Sequence, residues 1–324
     1  MKKQTIVLVA ALFISLQSIG QVTYAKPAEY DNIFKRVLAI ELLEENSKVL
    51  NALKKDEKKN PGSVASYQLF IKQYNETIQK VATKYWTLNE KIEFITTSEL
   101  EKIQKSKNTK YVCLYYTESK ERVDYTEPMV YRSPLSIPTY NYNRAENSKV
   151  RVDYSFFMPV KLNEKNSINE FDIIFSLQFI QLNIREIQKS GKKIGAKEFA
   201  EDQASLHCSE LEKKTLLIDK SLLHKKATKS GIKENYSYPF KIVTPEEIDQ
   251  SVTSSNSDEV YTVAIPTALA SGSVSFVSAS RVLAIRLLVD AKSGLVYGCI
   301  GTKMGEFNDA NYRDSDFKKF ISCK

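Results

Sequence analysis

The sequence predicts an α/β protein made of two similar β-α-β-α-β halves, with mixed sheets, added antiparallel strands and an internal duplication. Three observations lead there. Short apolar runs of strand length alternate with stretches of helical period. Two segments 148 residues apart repeat one pattern without gaps. Near the carboxyl terminus, two apolar runs flank the turn residues Ala291 to Gly294, as in a hairpin. With 324 residues, 42% hydrophobic and 10% aromatic, the chain has ample material for a core, which excludes a disordered or collagen-like protein. The expected division is a leader at 1–20, a first α/β domain at 21–192 and a second at 193–324.

The elements follow in order. Arg36 to Leu43 is an apolar run of strand length. Ser47 is placed to cap a short helix through Lys55. Asn60-Pro61-Gly62-Ser63 breaks the chain, and Val64 to Trp86 then carries Tyr67, Phe70, Ile71, Tyr74, Ile78, Val81 and Tyr85 at helical spacing. Ile92 to Thr96 reads as a strand, Ser98 as the cap of a helix through Ser106, and Tyr111 to Tyr116 as another strand. The stretch from Thr117 to Lys149, with three prolines, reads as irregular. Val150 to Val160 alternates like a strand. Asn169 to Lys189 is a long helix with Ile173, Leu177, Ile180, Ile184 and Ile187 on one stripe, closed by Gly191. A weaker helix runs from Lys197 to Lys213. Thr215 to Ile218 and Phe240 to Val243 are short strands. Thr244, Pro245 and Glu247 open the next helix with the spacing of a capping box. Val260 to Ile265 is a strand, Arg281 to Asp290 and Leu295 to Ile300 form the hairpin, and a final helix starts at Asp314 or Ser315 and runs through Phe320.

The repeat is carried by Ile92 to Leu100 and Phe240 to Ile248. Each is a strand, a hydroxyl cap and an acidic first helical turn, preceded by aromatics and followed by a short helix and a strand. Ligands of such sheets bind beyond the carboxyl ends of the strands, here near Glu44 to Ser47, Thr96-Thr97 and Thr117 to Lys120.

Lys2, Lys3 and the apolar run Ile6 to Leu16 have the proportions of a signal peptide, the run being too short to span a bilayer. Cleavage fits before Gln21, after the small residues Ser18 and Gly20, or before Lys26. No later stretch is apolar enough for a transmembrane anchor, so the expected location is periplasmic or secreted. The net charge of +8 is spread among alternating lysines and acids, as at Lys54 to Lys59, which reads as a solvated surface and not as a nucleic-acid stripe. Four cysteines, Cys113, Cys208, Cys299 and Cys323, permit disulfides after export, with three full pairings open. Cys113 and Cys299 read rather as small buried strand residues.

The stretches Lys84-Tyr85-Trp86 before Ile92 to Leu100, and Tyr236 to Val243 before Glu246-Glu247-Ile248, resemble secreted proteins of unknown function from Bacteroidota. The Ser18 to Gln21 end of the leader is similar to theirs. The resemblance implies a location outside the cytoplasm and carries no activity.

The chemistry-bearing residues are few. His207 and His224 are the only histidines, too few for a zinc constellation, so no metal and no cofactor is expected. No Gly-x-Ser-x-Gly elbow is present. Gly294, Gly298, Gly301 and Gly305 fit a turn and a bulged strand better than a phosphate cradle. The candidate ligand-binding residues are Tyr125, Tyr131, Tyr140 and Tyr142, in the long Tyr/Pro segment. Tyrosine pairs a flat apolar face with a polar tip, which suits a glycan or a peptide. The sequence thus reads as an exported, non-enzymatic binding or interaction protein. The alternative is a hydrolase of envelope glycans using a carboxylate pair assembled in space from acids such as Glu44-Glu45, Glu246-Glu247 and Asp314/Asp316.

Overall fold

The computed structural model describes residues 33–106, 108–120, 130–136, 169–192, 194–274, 277–301 and 311–323. The expected leader at 1–20, the 150–160 segment, Tyr125, Tyr140, Tyr142 and Gly305 lie outside them. The chain is an α/β protein with two sheets. The first half runs β1 (Val37–Leu42), α1 (Ser47–Asp56), α2 (Ser63–Tyr85), β2 (Ile92–Thr96), α3 (Thr97–Ser106), β3 (Tyr111–Lys120) and β4 (Val130–Ser136). Helix α4 (Glu170–Ser190) follows. The second half runs α5 (Ala196–His207), a 3-10 turn (Cys208–Lys213), β5 (Thr215–Asp219), α6 (Lys229–Asn235), β6 (Phe240–Val243), α7 (Pro245–Thr253), β7 (Glu259–Val274), β8 (Val277–Asp290), β9 (Val296–Ile300) and α8 (Asp314–Ile321).

The sheets are ordered β2-β1-β3-β4 and β6-β5-β7-β8-β9. In each, the first three strands are parallel and the next is antiparallel. The registers also correspond. Leu38 of β1 pairs with Ile92 and Val112. Leu216 of β5 pairs with Phe240 and Val260, each 148 residues beyond its counterpart. The central strands β1 and β5 are buried on both faces, which accounts for their continuous apolar runs.

The caps also correspond, and they correct two expected boundaries. Thr96, not Ser98, caps α3: its Oγ1 accepts from Glu99 N at 3.2 Å, and Glu99 Oε2 accepts from Thr96 N at 2.8 Å. Thr244 and Glu247 make the same reciprocal pair at 3.4 and 2.8 Å. Asn46 rather than Ser47 caps α1, because its Oδ1 reaches Lys48 N and Val49 N. A side chain just outside the helix reaches the orphan N–H groups that one on the first turn cannot.

The stretch read as irregular after Thr117 is partly strand. Backbone pairing of Thr117 with Ser133 through Lys120 with Val130 continues the sheet past the first aromatic run. Pro134 is tolerated because β4 lies at the sheet edge. In the second half, β7 and β8 likewise run well past the expected ends and pair through Val274 and Val277. The small Ser/Ala/Gly residues there carry little of the β-branched signal that marks a strand. The helix expected over 197–213 ends at His207 and tightens into the 3-10 turn.

Helix α4 is the shared wall of the molecule. Twelve of its 21 residues are buried, among them Ile173, Leu177, Ile180, Ile184 and Ile187, and also Phe171, Ile174, Phe175 and Phe179. A helix apolar on nearly every side belongs in the middle of a protein. It packs on α2 and α7, and one continuous core joins Leu38 and Ile40 of the first sheet to Leu217, Tyr261 and Leu287 of the second. Asn169 precedes the helix and Gly191 ends it in the left-handed region, at φ 66°. A second core lies on the other face of the second sheet, where Leu216, Ile218 and Leu288 meet Ile232 and Tyr236 of the α6 region and Phe317 and Phe320 of α8.

Candidate functional site

The carboxyl ends of the parallel strands in the first half are closed by the protein's own groups. Glu41, on β1, is buried. It accepts from Thr97 Oγ1 at 2.8 Å and Tyr116 N at 3.0 Å. Burial raises its pKa, and those two hydrogen bonds oppose the rise. Glu44 Oε2 accepts from Ser98 N and Ser98 Oγ at 2.7 and 2.8 Å, which lowers its pKa. Leu43 is held by Asn75 through both backbone groups. The matching position in β5 is Asp219, also buried and opposite Val243 as Glu41 is opposite Ile95. Its side chain caps the following 3-10 turn through Ser221 N at 2.7 Å.

Two cavities lie elsewhere, both in the second half. The first, about 560 Å³, is lined by His224, Lys225, Lys226, Ala227, Arg313 and Asp314, with Asn235 and Ser315. Two chain segments build it. Leu223 and Tyr312 form an isolated parallel bridge, His224 N donates to Tyr312 O at 2.8 Å, and Tyr312 N donates to Leu222 O at 2.7 Å. Tyr312 is fully buried. Its hydroxyl donates to Val263 O at 2.6 Å and accepts from Leu287 N at 3.1 Å, anchoring the segment beneath the sheet.

Among the described residues, the lining of this cavity carries more basic than acidic side chains. Lys225, Lys226 and Arg313 are exposed cations. The one carboxylate among its described lining residues, Asp314, is turned to the start of α6. There its Oδ1 accepts from Thr228 N at 3.1 Å, and its Oδ2 lies 2.1 Å from where a Cβ on Gly231 would stand. A side chain at Gly231 would have to displace that carboxylate. His224 Nδ1 accepts from Lys226 N at 3.2 Å, so the neutral ring carries its proton on Nε2.

The second cavity, about 550 Å³, lies around β9. It holds Cys208, Cys299 and Cys323 together with Lys197, Glu201 and Phe320. Cys208 and Cys323 form a disulfide, one of the pairings left open by the sequence, while Cys113 and Cys299 are free. Among the expected glycines, Gly294 takes the turn at φ 72°, and Gly298 leaves space for Phe320, whose Cδ1 would lie 2.5 Å from an added Cβ.

A third polar group is internal. Asp249 Oδ1 accepts from Phe171 N at 2.6 Å, so α7 caps α4. Asp172, on the first turn of α4, is partly buried and has its pKa raised to about 8. Burial is the main cause, opposed by the hydrogen bond from Asn169 and reinforced by Asp219 and Asp249. Burial raises Asp249 to about 6.

Of the tyrosines expected to bind a ligand, Tyr131 lies on β4, opposite Ser119. Among the described residues no group of three or more His, Cys, Asp and Glu is placed to hold a metal ion. His207 instead contacts Glu210 at 3.2 Å and stacks on Tyr297 at 5.3 Å. The cationic cavity was not singled out from the sequence. Lys225-Lys226 and Arg313 are 87 residues apart, and lysine pairs are frequent in this chain. No described helix is long and apolar enough to cross a membrane. The molecule belongs to the broad class of α/β proteins with two parallel-cored sheets. Comparison of the chain with family models, curated proteins and solved structures finds no match.

Proposed function

We propose that this chain is an exported, non-enzymatic binding protein, and that its ligand is an anionic glycan seated at the cavity of His224, Lys225, Lys226 and Arg313. The carrying observation is the balance of charge: the exposed Lys225 and Lys226 line the space, and the one carboxylate among its described lining residues, Asp314, is engaged with the start of α6. About 560 Å³ is the size of an ordinary small-ligand site. Export is supported by the leader-like amino terminus and by the Cys208–Cys323 disulfide, a bond that persists in oxidising compartments.

The test is binding to polygalacturonate and to a sulfated glycosaminoglycan, with neutral dextran as control. The expected result is salt-sensitive binding to the acidic polymers, reduced at least tenfold in Lys225→Glu/Lys226→Glu with an unchanged melting temperature. Equal binding by the variant overturns the assignment of the site. Intact mass of protein recovered from the envelope or medium tests export, with Gln21 or Lys26 expected as the first residue.

The two halves are also proposed to descend from one duplicated unit. Supporting this are the common strand order, the 148-residue offset shared by the two strands that flank each central strand, the twin capping boxes and the buried acids Glu41 and Asp219 at equivalent register positions.

A further inference from the structure

Three of the four cysteines line one cavity. Cys208 follows the last turn of α5, Cys323 follows α8, and Cys299 lies on β9 between them. Both helices pack on β9. They do so from opposite faces of the sheet: α5 contributes Phe199, Ala200 and Ala204 to the shared core, and α8 contributes Phe317 and Phe320 to the second. The disulfide therefore clasps the two helices around the edge strand. Cys299, free on that strand, lines the same cavity as both bonded cysteines.

We propose that Cys299 is an internal exchange partner of the Cys208–Cys323 disulfide, able to unlatch α8 from α5 without any change in overall oxidation state. The Cys299 thiolate attacks Cys208 Sγ. A Cys208–Cys299 bond forms, the Cys208–Cys323 bond breaks, and the electron pair leaves on Cys323 Sγ, which takes up a proton. One disulfide and one thiol exist before and after, so no oxidant or reductant enters. The exchanged form ties α5 to β9 and presents a thiol at Cys323, an exposed position where Cys208 and Cys299 are not. That thiol is a site for mixed-disulfide formation with an external thiol partner.

The surroundings keep the resting form in place. Burial raises the Cys299 thiol to about 12; Glu201 adds to this and Lys197 opposes it. At neutral pH only about one molecule in 10⁵ carries the attacking thiolate. Exchange is therefore slow at pH 7 and accelerates about tenfold per pH unit until the thiol titrates.

The full mature chain is incubated at pH 7 to 10, quenched in acid, alkylated, and mapped by mass spectrometry without reduction. The expected result is a Cys208–Cys299 linked peptide and alkylated Cys323, both appearing about tenfold faster per pH unit. Cys323 alkylation should be lost in Cys299→Ser and retained in Cys113→Ser. As an independent measure, Cys323→Ser treated with oxidised glutathione should join Cys208 to Cys299. Absence of the linked peptide in the natural chain at pH 10, or glutathione on Cys208 of Cys323→Ser without a Cys208–Cys299 bond, overturns the proposal. So does Cys323 alkylation that proceeds unchanged in Cys299→Ser.

Discussion

Arg286 and Asp316 form an ion pair at 1% and 3% exposure, joining β8 to α8 inside the second core. Asp316 Oδ2 also accepts from Arg313 N at 2.8 Å, so one carboxylate both caps α8 and neutralises the guanidinium. Arg286 Cζ lies 6.0 Å from the centre of the Tyr312 ring. Its Nε and Nη2 have no hydrogen-bond partner among the described residues.

Removing one partner of such a pair leaves a buried charge uncompensated, at a cost of about 3–5 kcal/mol. Asp316→Asn keeps a capping oxygen but loses the charge. It should lower stability to urea by that amount. Adding Arg286→Met should recover part of the loss, because the unpaired charge goes too. A double variant no more stable than Asp316→Asn would refute this account.

Helix α4 offers a paired test. Ile180→Ala, at a fully buried position, should cost about 2–5 kcal/mol, and Gln188→Ala, at an exposed one, about 0.5 kcal/mol or less. Equal denaturation midpoints would contradict the burial of that face.

Asn183 is wholly buried on the same helix, and neither of its amide atoms has a hydrogen-bond partner among the described residues. Leucine has nearly its shape without the desolvation cost of an amide. Asn183→Leu should therefore leave the melting temperature unchanged or raise it. A fall of several degrees would show that the amide is satisfied in the folded protein.

Asp172, raised to about 8, and Asp249, raised to about 6, set a pH dependence. Both fold with a higher pKa than an unfolded aspartate, near 4, so in this window the folded chain holds protons that the unfolded chain has released. Stability from these groups is present in full below about pH 4. It is lost as pH rises through about 6 for Asp249 and about 8 for Asp172. Melting temperature should fall from pH 5 to pH 8, and Asp172→Asn should flatten the fall. An unchanged slope in that variant would remove Asp172 as its source.

Much of the fold was legible because short-range chemistry wrote it. The bounds of β2 and β6, the cap at Thr244 and the stripe of α4 follow from apolar period and hydroxyl–acid spacing, each a matter of a few neighbouring residues. The continuation of β3 and the length of the β7–β8 hairpin did not show. Their strand state is fixed by pairing with a neighbour and not by β-branched composition. The candidate site was less legible still. The cationic cavity depends on Tyr312 pinning one segment beside another 88 residues away, a juxtaposition that no local pattern encodes. The Cys208–Cys323 pairing is likewise set by where α5 and α8 end around β9.

Because α4 is the common wall, neither sheet has a complete interior of its own. Phe171 at one end of the helix meets Tyr261 of the second sheet edge-on, and Gln181 bonds to Thr87 N and Tyr85 O of the first half. Loss of this helix opens both sides at once. Thermal and denaturant unfolding should accordingly be a single cooperative transition with calorimetric and van't Hoff enthalpies in agreement, and the amides of α4 should exchange with solvent only through global opening. Neither half is therefore expected to fold apart from this one central helix.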